Sequence, residues 1–176
     1  MVIQSMGVIN MPDNIRIQTL LKNYEMVRNL TKFYLSKMQG LDYKKQYEID
    51  GIKLNSAYWL IAHLVWTEHF LIIEGIGGES MGIEWLNDYA IGTSVDDINN
   101  GPAIDEVLAK LDEVHKRAIE ILNSMSDEQL DAENNIEANF GGQKTKETVI
   151  MHAIRHEPMH IGQISWILKV NGISLV

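Results

Sequence analysis

Apolar residues recur at helical spacing in four long stretches of the chain, and no stretch shows a convincing two-residue alternation of the kind a half-buried strand requires. The first stretch runs from about Asp13 to Met38. Ile17, Leu20, Leu21, Tyr24, Val27, Arg28 and Leu30 fall close to an i, i+3, i+4, i+7 template, with Asp13 placed to cap the start and Gly40 to stop the end. A charged connection follows, from Leu41 to Lys53. The second stretch begins at Asn55 or Ser56, either of which can cap, and runs to about Glu74. It is apolar on nearly every side, which predicts a helix deep in the fold, ended by Gly75, Gly77 and Gly78. The third runs from about Ala103 to Ser124, with Pro102 before it and a stripe of Ile104, Val107, Leu108, Leu111, Val114, Ala118, Ile121 and Leu122. Ser126 to Gln129 then reads as a capping box opening one short turn. The fourth starts near Thr145 and stops at Asn171-Gly172.

Two connections are long. The link from Glu79 to Pro102 carries Trp85, Leu86, Tyr89 and Ile91, which predicts that it packs onto the body as a lid or crossover. Residues Asp131 to Lys144 are polar and contain Gly141-Gly142, a loop or irregular hairpin. The whole predicts an all-α protein, a four-helix bundle forming a single domain over residues 1–176.

Composition narrows the chemistry. Of 176 residues 45% are hydrophobic, enough for a sizeable core, and cysteine is absent. That excludes a disulfide framework, a cysteine-ligated zinc or iron–sulfur site and a cysteine nucleophile. Fifteen basic residues against 24 acidic ones give a net charge of −9, which argues against nucleic-acid and anionic-membrane partners. The apolar run from Ala57 to Trp66 contains His63 and is short of the ~18–20 residues a membrane span needs. Residues 1–10 show neither a basic n-region nor a long apolar h-region, so the expectation is a cytoplasmic protein without a secretory signal.

The candidate chemistry lies in the six histidines. His115 sits among Asp112, Glu113, Lys116 and Arg117 and reads as part of a solvated face. His69 follows His63 by six residues, which turns it about 120° away on a regular helix, and reads as a surface or packing residue. His156 and His160 are four apart, so their Cβ atoms lie ~5–6 Å apart on one helix face, where two imidazoles can grip one metal ion. Their helix is apolar around them, with Ile154, Met159, Ile161, Ile164 and Trp166. His152 extends that face by one turn, as a packing residue or a support for the ligands. No His, Asp or Glu follows His160, so a third ligand must come from upstream. His63, flanked by Trp59, Leu60, Trp66 and Thr67, is the buried candidate. Taken alone it reads as a buried neutral histidine with one hydrogen-bond partner.

His156-Glu157-Pro158-Met159-His160 also matches H-E-x-x-H, the zinc motif of zincin proteases. The downstream third ligand of that class is missing, and Pro158 inside the motif costs ~3 kcal/mol in a regular helix and predicts a kink or bulge. Glu157, turned ~100° from His156, reads as a surface or supporting acid.

The segment Asn55 through Trp59-Leu60-Ile61-Ala62-His63-Leu64, together with His156-x-x-x-His160-Ile161-Gly162-Gln163-Ile164, resembles the DinB/YfiT-like superfamily over nearly the whole chain. The resemblance implies that His63, His156 and His160 ligate one divalent metal ion, nickel or zinc, and that the protein is a homodimer. It implies a metal-dependent enzyme acting on a small-molecule substrate. This would be a thiol S-transferase with a low-molecular-weight thiol as co-substrate, activated as thiolate on the metal, or a hydrolase; the alternative is a non-catalytic metal-binding stress-response bundle. It further suggests that Gly162 lets a neighbouring helix come close, and that Gln163 meets a ligand or substrate. No general acid or base is visible beyond the ligands.

Overall fold

A computed structural model of the chain describes residues 14–93 and 100–175. Asp13, the expected cap, residues 1–10 and part of the link before Pro102 lie outside the described residues. Four long helices form the body: α1 (Ile15–Ser36), α2 (Ala57–Glu68), α3 (Ile104–Asn123) and α4 (Lys146–Val170). α1 packs on α3 and α4, and α2 packs on the same two, so α1 and α2 lie across a diagonal of the bundle. Five of the α3 stripe residues, Val107, Leu111, Val114, Ala118 and Leu122, are buried against this core.

Local sequence explains most of the helix ends. The Ser56 hydroxyl, not Asn55, caps α2 by accepting from the Trp59 N–H at 3.2 Å. Thr145 caps α4 in the same way, accepting from Thr148 at 3.3 Å. The start of α1 is satisfied from a distance: the Asp127 carboxylate accepts from the backbone N–H groups of Arg16 at 3.0 Å and Ile17 at 2.8 Å. Helix N-termini leave such donors without internal partners, and a carboxylate there also suits the helix dipole. Gln129 accepts from the Ser126 N–H at 2.8 Å, one arm of the expected box, beside a 3₁₀ turn at Glu128–Asp131.

Several expectations need correction. The connection after α1 holds a two-stranded hairpin, β1 (Glu48–Ile49) and β2 (Ile52–Lys53), turned by Asp50 and Gly51 at φ 50° and 78°. α2 does not stop as an α-helix; it continues as a π-helix over His69–Gly77. The N–H of Gly78, at φ 92°, closes it on the carbonyls of Ile73 (2.9 Å) and Glu74 (3.1 Å). The combined helix Ala57–Gly77 is therefore long and apolar enough to cross a membrane by length and composition, unlike the shorter run read from the sequence, but 78% of its most apolar window is buried inside the bundle. In the link, Leu86 and Tyr89 are buried as expected, in a 3₁₀ turn, whereas Ile91 is exposed. The bulge expected at Pro158 is absent, and α4 runs as an α-helix without a break from Lys146 to Val170.

Candidate metal centre

α2 and α4 bring His63, His156 and His160 together. One ring nitrogen from each lies within 4.8 Å of the other two, and the ring centroids are 4.5–5.4 Å apart. His63 is fixed most firmly. Its Nδ1 lies 2.7 Å from the Tyr89 carbonyl, which can only accept, so Nδ1 carries the proton and the Nε2 lone pair is left toward the cluster. The Thr67 hydroxyl stands 3.3 Å from that Nε2. Trp59 and Trp66 stack on either side of the ring, at 4.7 and 5.5 Å between centroids. They sit at i−4 and i+3, so helical spacing alone aligns all three rings.

The Nε2 atoms of His156 and His160 are 3.2 Å apart. Two nitrogens bound at ~2.0–2.1 Å to one tetrahedral ion lie roughly 3.3–3.4 Å from each other. The pair thus already has the spacing of two ligands on one cation. The Nδ1 atoms of both rings, and the Nε1 of Trp59, are buried without a hydrogen-bond partner in the protein. Burial holds all three imidazoles in the neutral, ligating form. The His156 pKa is lowered to about 3, by burial first and then by repulsion from His160, His63 and His152. His160 is lowered to about 4 by burial and His63, with Gln163 pulling weakly the other way. His63 is lowered by burial against the opposing Tyr89 bond. Metal binding needs deprotonated ligands, so the donor set, its spacing and its protonation state all fit a divalent ion.

A groove of about 500 Å³ lies along α4 next to His160; its lining includes the flanking Met159 and Gln163 but none of the three histidines. Met159, just before His160, and Gly162, Gln163 and Trp166, after it, line the groove from α4, and Asn55 and Lys53 line it from the other side. Gly162 meets no neighbouring atom within 4 Å of where a Cβ would stand, so it does not admit a helix as expected; it leaves room in the groove. Gln163 lies between the groove and His160.

The other histidines sort differently. His69 is buried, and its Nε2 accepts from the Met81 N–H at 2.9 Å, a packing role. His152 stacks on Phe140 at 3.8 Å and stands 5.5 Å from the His156 ring. His115 is not on a solvated face. It stacks on Tyr24 at 5.4 Å and its Nδ1 meets Glu68 Oε1 at 2.7 Å.

That contact belongs to an ion cluster the sequence did not reveal. Arg28 of α1, 2% exposed, donates from Nη2 to Glu68 of α2 at 2.6 Å and to Glu157 of α4 at 3.1 Å. Tyr24 also donates to Glu68, and Thr31 to Glu157. Burial pushes the Glu68 carboxyl up, but Arg28, His115 and Tyr24 outweigh it and its pKa ends lowered. Burial dominates at Glu157, whose pKa is raised despite Arg28. Glu157 is therefore an interior residue, not a surface acid. The signal that could have found the cluster is Arg28 itself, a cation standing in an apolar helical template beside Val27.

A helical bundle with three inward imidazoles shared between its second and fourth helices defines a class of candidate metalloprotein. The profile of the DinB superfamily matches residues 23–164, and the chain belongs to that superfamily. No curated protein matches it.

Proposed function

We propose that this protein is a metal-dependent enzyme acting on small molecules, a thiol S-transferase or a hydrolase, with His63, His156 and His160 as ligands of a nickel or zinc ion. The observation that carries the reading is the approach of three neutral imidazoles to within 4.8 Å, with a groove lined by Met159 and Gln163 on the same helix as two of them. Three protein ligands leave at least one coordination position for another molecule, the arrangement of catalytic rather than structural sites. A bound divalent ion supplies Lewis acidity there, lowering the pKa of a thiol or of water brought to it. The chain's own residues do the rest. The Tyr89 carbonyl holds the His63 tautomer, Trp59 and Trp66 shield its ring, and Gln163 and Asn55 offer hydrogen bonds to a substrate in the groove. The mixed lining, with Met159, Trp166 and Ile167, suits a small molecule that is part apolar.

The reading extends to a homodimer in the cytoplasm without nucleic-acid or membrane partners. The net charge of −9 supports the last point, and the exposed row Met26, Leu30 and Phe33 on α1 supports the dimer. Elemental analysis of the purified protein tests the core of it, with about one divalent ion per chain expected. Turnover of a model electrophile with a low-molecular-weight thiol, abolished by His160→Ala, tests the activity. Stoichiometric metal with no turnover by any common thiol or by water would favour the non-catalytic bundle. Protein without stoichiometric metal would refute the reading.

A further inference from the structure

A histidine that binds a metal through Nε2 carries its proton on Nδ1, and that N–H needs an acceptor to hold the ring. His63 has one in the Tyr89 carbonyl. His156 has none within hydrogen-bond distance, although its Nδ1 is buried. Between α1, α2 and α4 lies a small gap of about 10 Å³, lined by Tyr24, Thr67, Glu68, Ala153, His156 and Glu157 among others. That volume is close to the minimum for one water molecule, about one probe sphere of ~10–15 Å³.

The gap also has acceptors to spare. Glu68 takes three hydrogen bonds, from Tyr24, His115 and Arg28. Glu157 takes two, from Thr31 and Arg28. A carboxylate offers about four lone-pair sites, so each retains at least one. Both side chains are nearly inaccessible to solvent, so no bulk water competes for those sites.

We propose that one water in this gap joins the His156 Nδ1–H to the buried carboxylates, so that the Arg28–Glu68–Glu157 cluster is the outer support of the metal centre and Glu68 and Glu157 are positioning residues for His156. This rests on the metal-centre reading above. The cluster has two effects on a bound cation. It locks the ring orientation through the water, and its two carboxylates against one guanidinium place negative charge beside the site. The link between α1, which contributes no ligand, and the metal then runs through Arg28, Tyr24 and Thr31, the three α1 side chains that donate to these carboxylates.

The test uses Glu68→Gln and Glu157→Gln, which keep shape and remove charge. Zinc affinity is measured by competition with a chromophoric chelator, and the visible spectrum of the cobalt-loaded protein reports ligand geometry. Urea unfolding of the metal-free proteins is measured separately. A loss of tenfold or more in affinity with a shifted cobalt spectrum, in at least one variant that remains folded without metal, is the expected result; outer partners of metal histidines typically contribute 10–100-fold. A crystal structure of the zinc form should show the water within hydrogen-bonding distance of His156 Nδ1. Affinity within twofold of wild type in both variants, with unshifted spectra, overturns the inference, because a merely structural cluster would change the unfolding curve alone. Should both variants fail to fold, Ala153→Val decides by filling the gap without touching a charge: the same loss supports the inference and unchanged affinity overturns it. A wild-type protein that takes up no metal refutes the metal reading and this inference together, whereas normal metal uptake with unaffected variants refutes only the inference.

Discussion

Replacing Arg28 with Met should be among the most damaging single changes in the bundle. The guanidinium is 2% exposed and holds two carboxylates, Glu68 at 2.6 Å and Glu157 at 3.1 Å. Met fills much of the same volume, so little of the loss comes from packing. What remains is two buried carboxylates without their cation, and breaking such a pair costs ~3–5 kcal/mol. A domain of this kind has a total stability of ~5–15 kcal/mol, and at this length each kcal/mol moves the midpoint by ~2–4 °C, so a fall of roughly 6–20 °C is expected. The assay is urea and thermal unfolding of the metal-free protein, followed by circular dichroism. Its pH dependence identifies the cause. In the wild type the Glu68 pKa is lowered, so the stability it contributes is present above the unfolded carboxyl value near 4.5 and is lost as the pH falls through its folded value. In the variant both carboxyls rise, their ionised forms are the unfavourable ones, and acid relieves the defect. The difference between variant and wild type should therefore shrink from pH 7 toward pH 4. A deficit under about 1 kcal/mol at pH 7, or one that does not shrink in acid, would refute the account; ~1 kcal/mol is what an ordinary surface pair contributes.

Asp127→Ala should lower stability by ~1–2 kcal/mol in chemical denaturation, because it frees the N–H groups of Arg16 and Ile17 at the start of α1. Gly78→Ala should cost ~1–2 kcal/mol, since φ of 92° strains any side chain, whereas Gly77→Ala should cost less because the one clash of its Cβ, at 2.7 Å, is with Cδ1 at the end of the Ile121 side chain. In metal-free protein, His156 and His160 titrate near 3 and 4 when folded but near 6.5 when unfolded, so stability should fall as pH drops from 6.5 toward 4; a flat profile over that range, read by urea titration, would contradict their burial.

The parts of this structure readable in the sequence are those that depend on short spacing. His156 and His160 share a face because they are four apart, and α3 buries Val107, Leu111, Val114, Ala118 and Leu122 because their stripe is amphipathic. The π-helical turn over His69–Gly77 could not be read, because a segment apolar on every side gives no phase from which a change of pitch shows. The hairpin at Glu48–Lys53 is two residues per strand, too short for alternation to register. The charged sequence neighbours of His115 point to a solvated face, while its actual partners, Tyr24 and Glu68, come from two other helices and leave no trace in the local sequence. Exposed Leu30, in the same template as buried Arg28, shows that hydropathy alone did not assign the faces of α1.

The interior contains two kinds of polar group side by side, imidazoles kept neutral by burial and carboxylates held on a buried guanidinium, and His156 and Glu157 bring the two together at adjacent positions of α4. Stability does not account for the second kind. Replacing a buried ion triad with well-packed apolar residues is often neutral or stabilising by ~1–4 kcal/mol. A bundle with the remaining core of Leu60, Ile61, Leu64, Ile150, Ile164 and Leu168 has apolar surface to bury without the triad. The triple variant Arg28→Met, Glu68→Leu, Glu157→Met therefore separates folding from function. It should unfold within about 1–2 kcal/mol of the wild type, recovering most of what Arg28→Met alone loses, because no unpaired charge remains. Its zinc affinity should not recover, since the acceptors proposed for His156 are gone. Recovery of both stability and affinity would mean that the cluster is incidental to the histidines it adjoins; recovery of neither would mean that the hydrogen bonds of Tyr24, Thr31 and His115 to these carboxylates, rather than the charges, hold the middle of the bundle together.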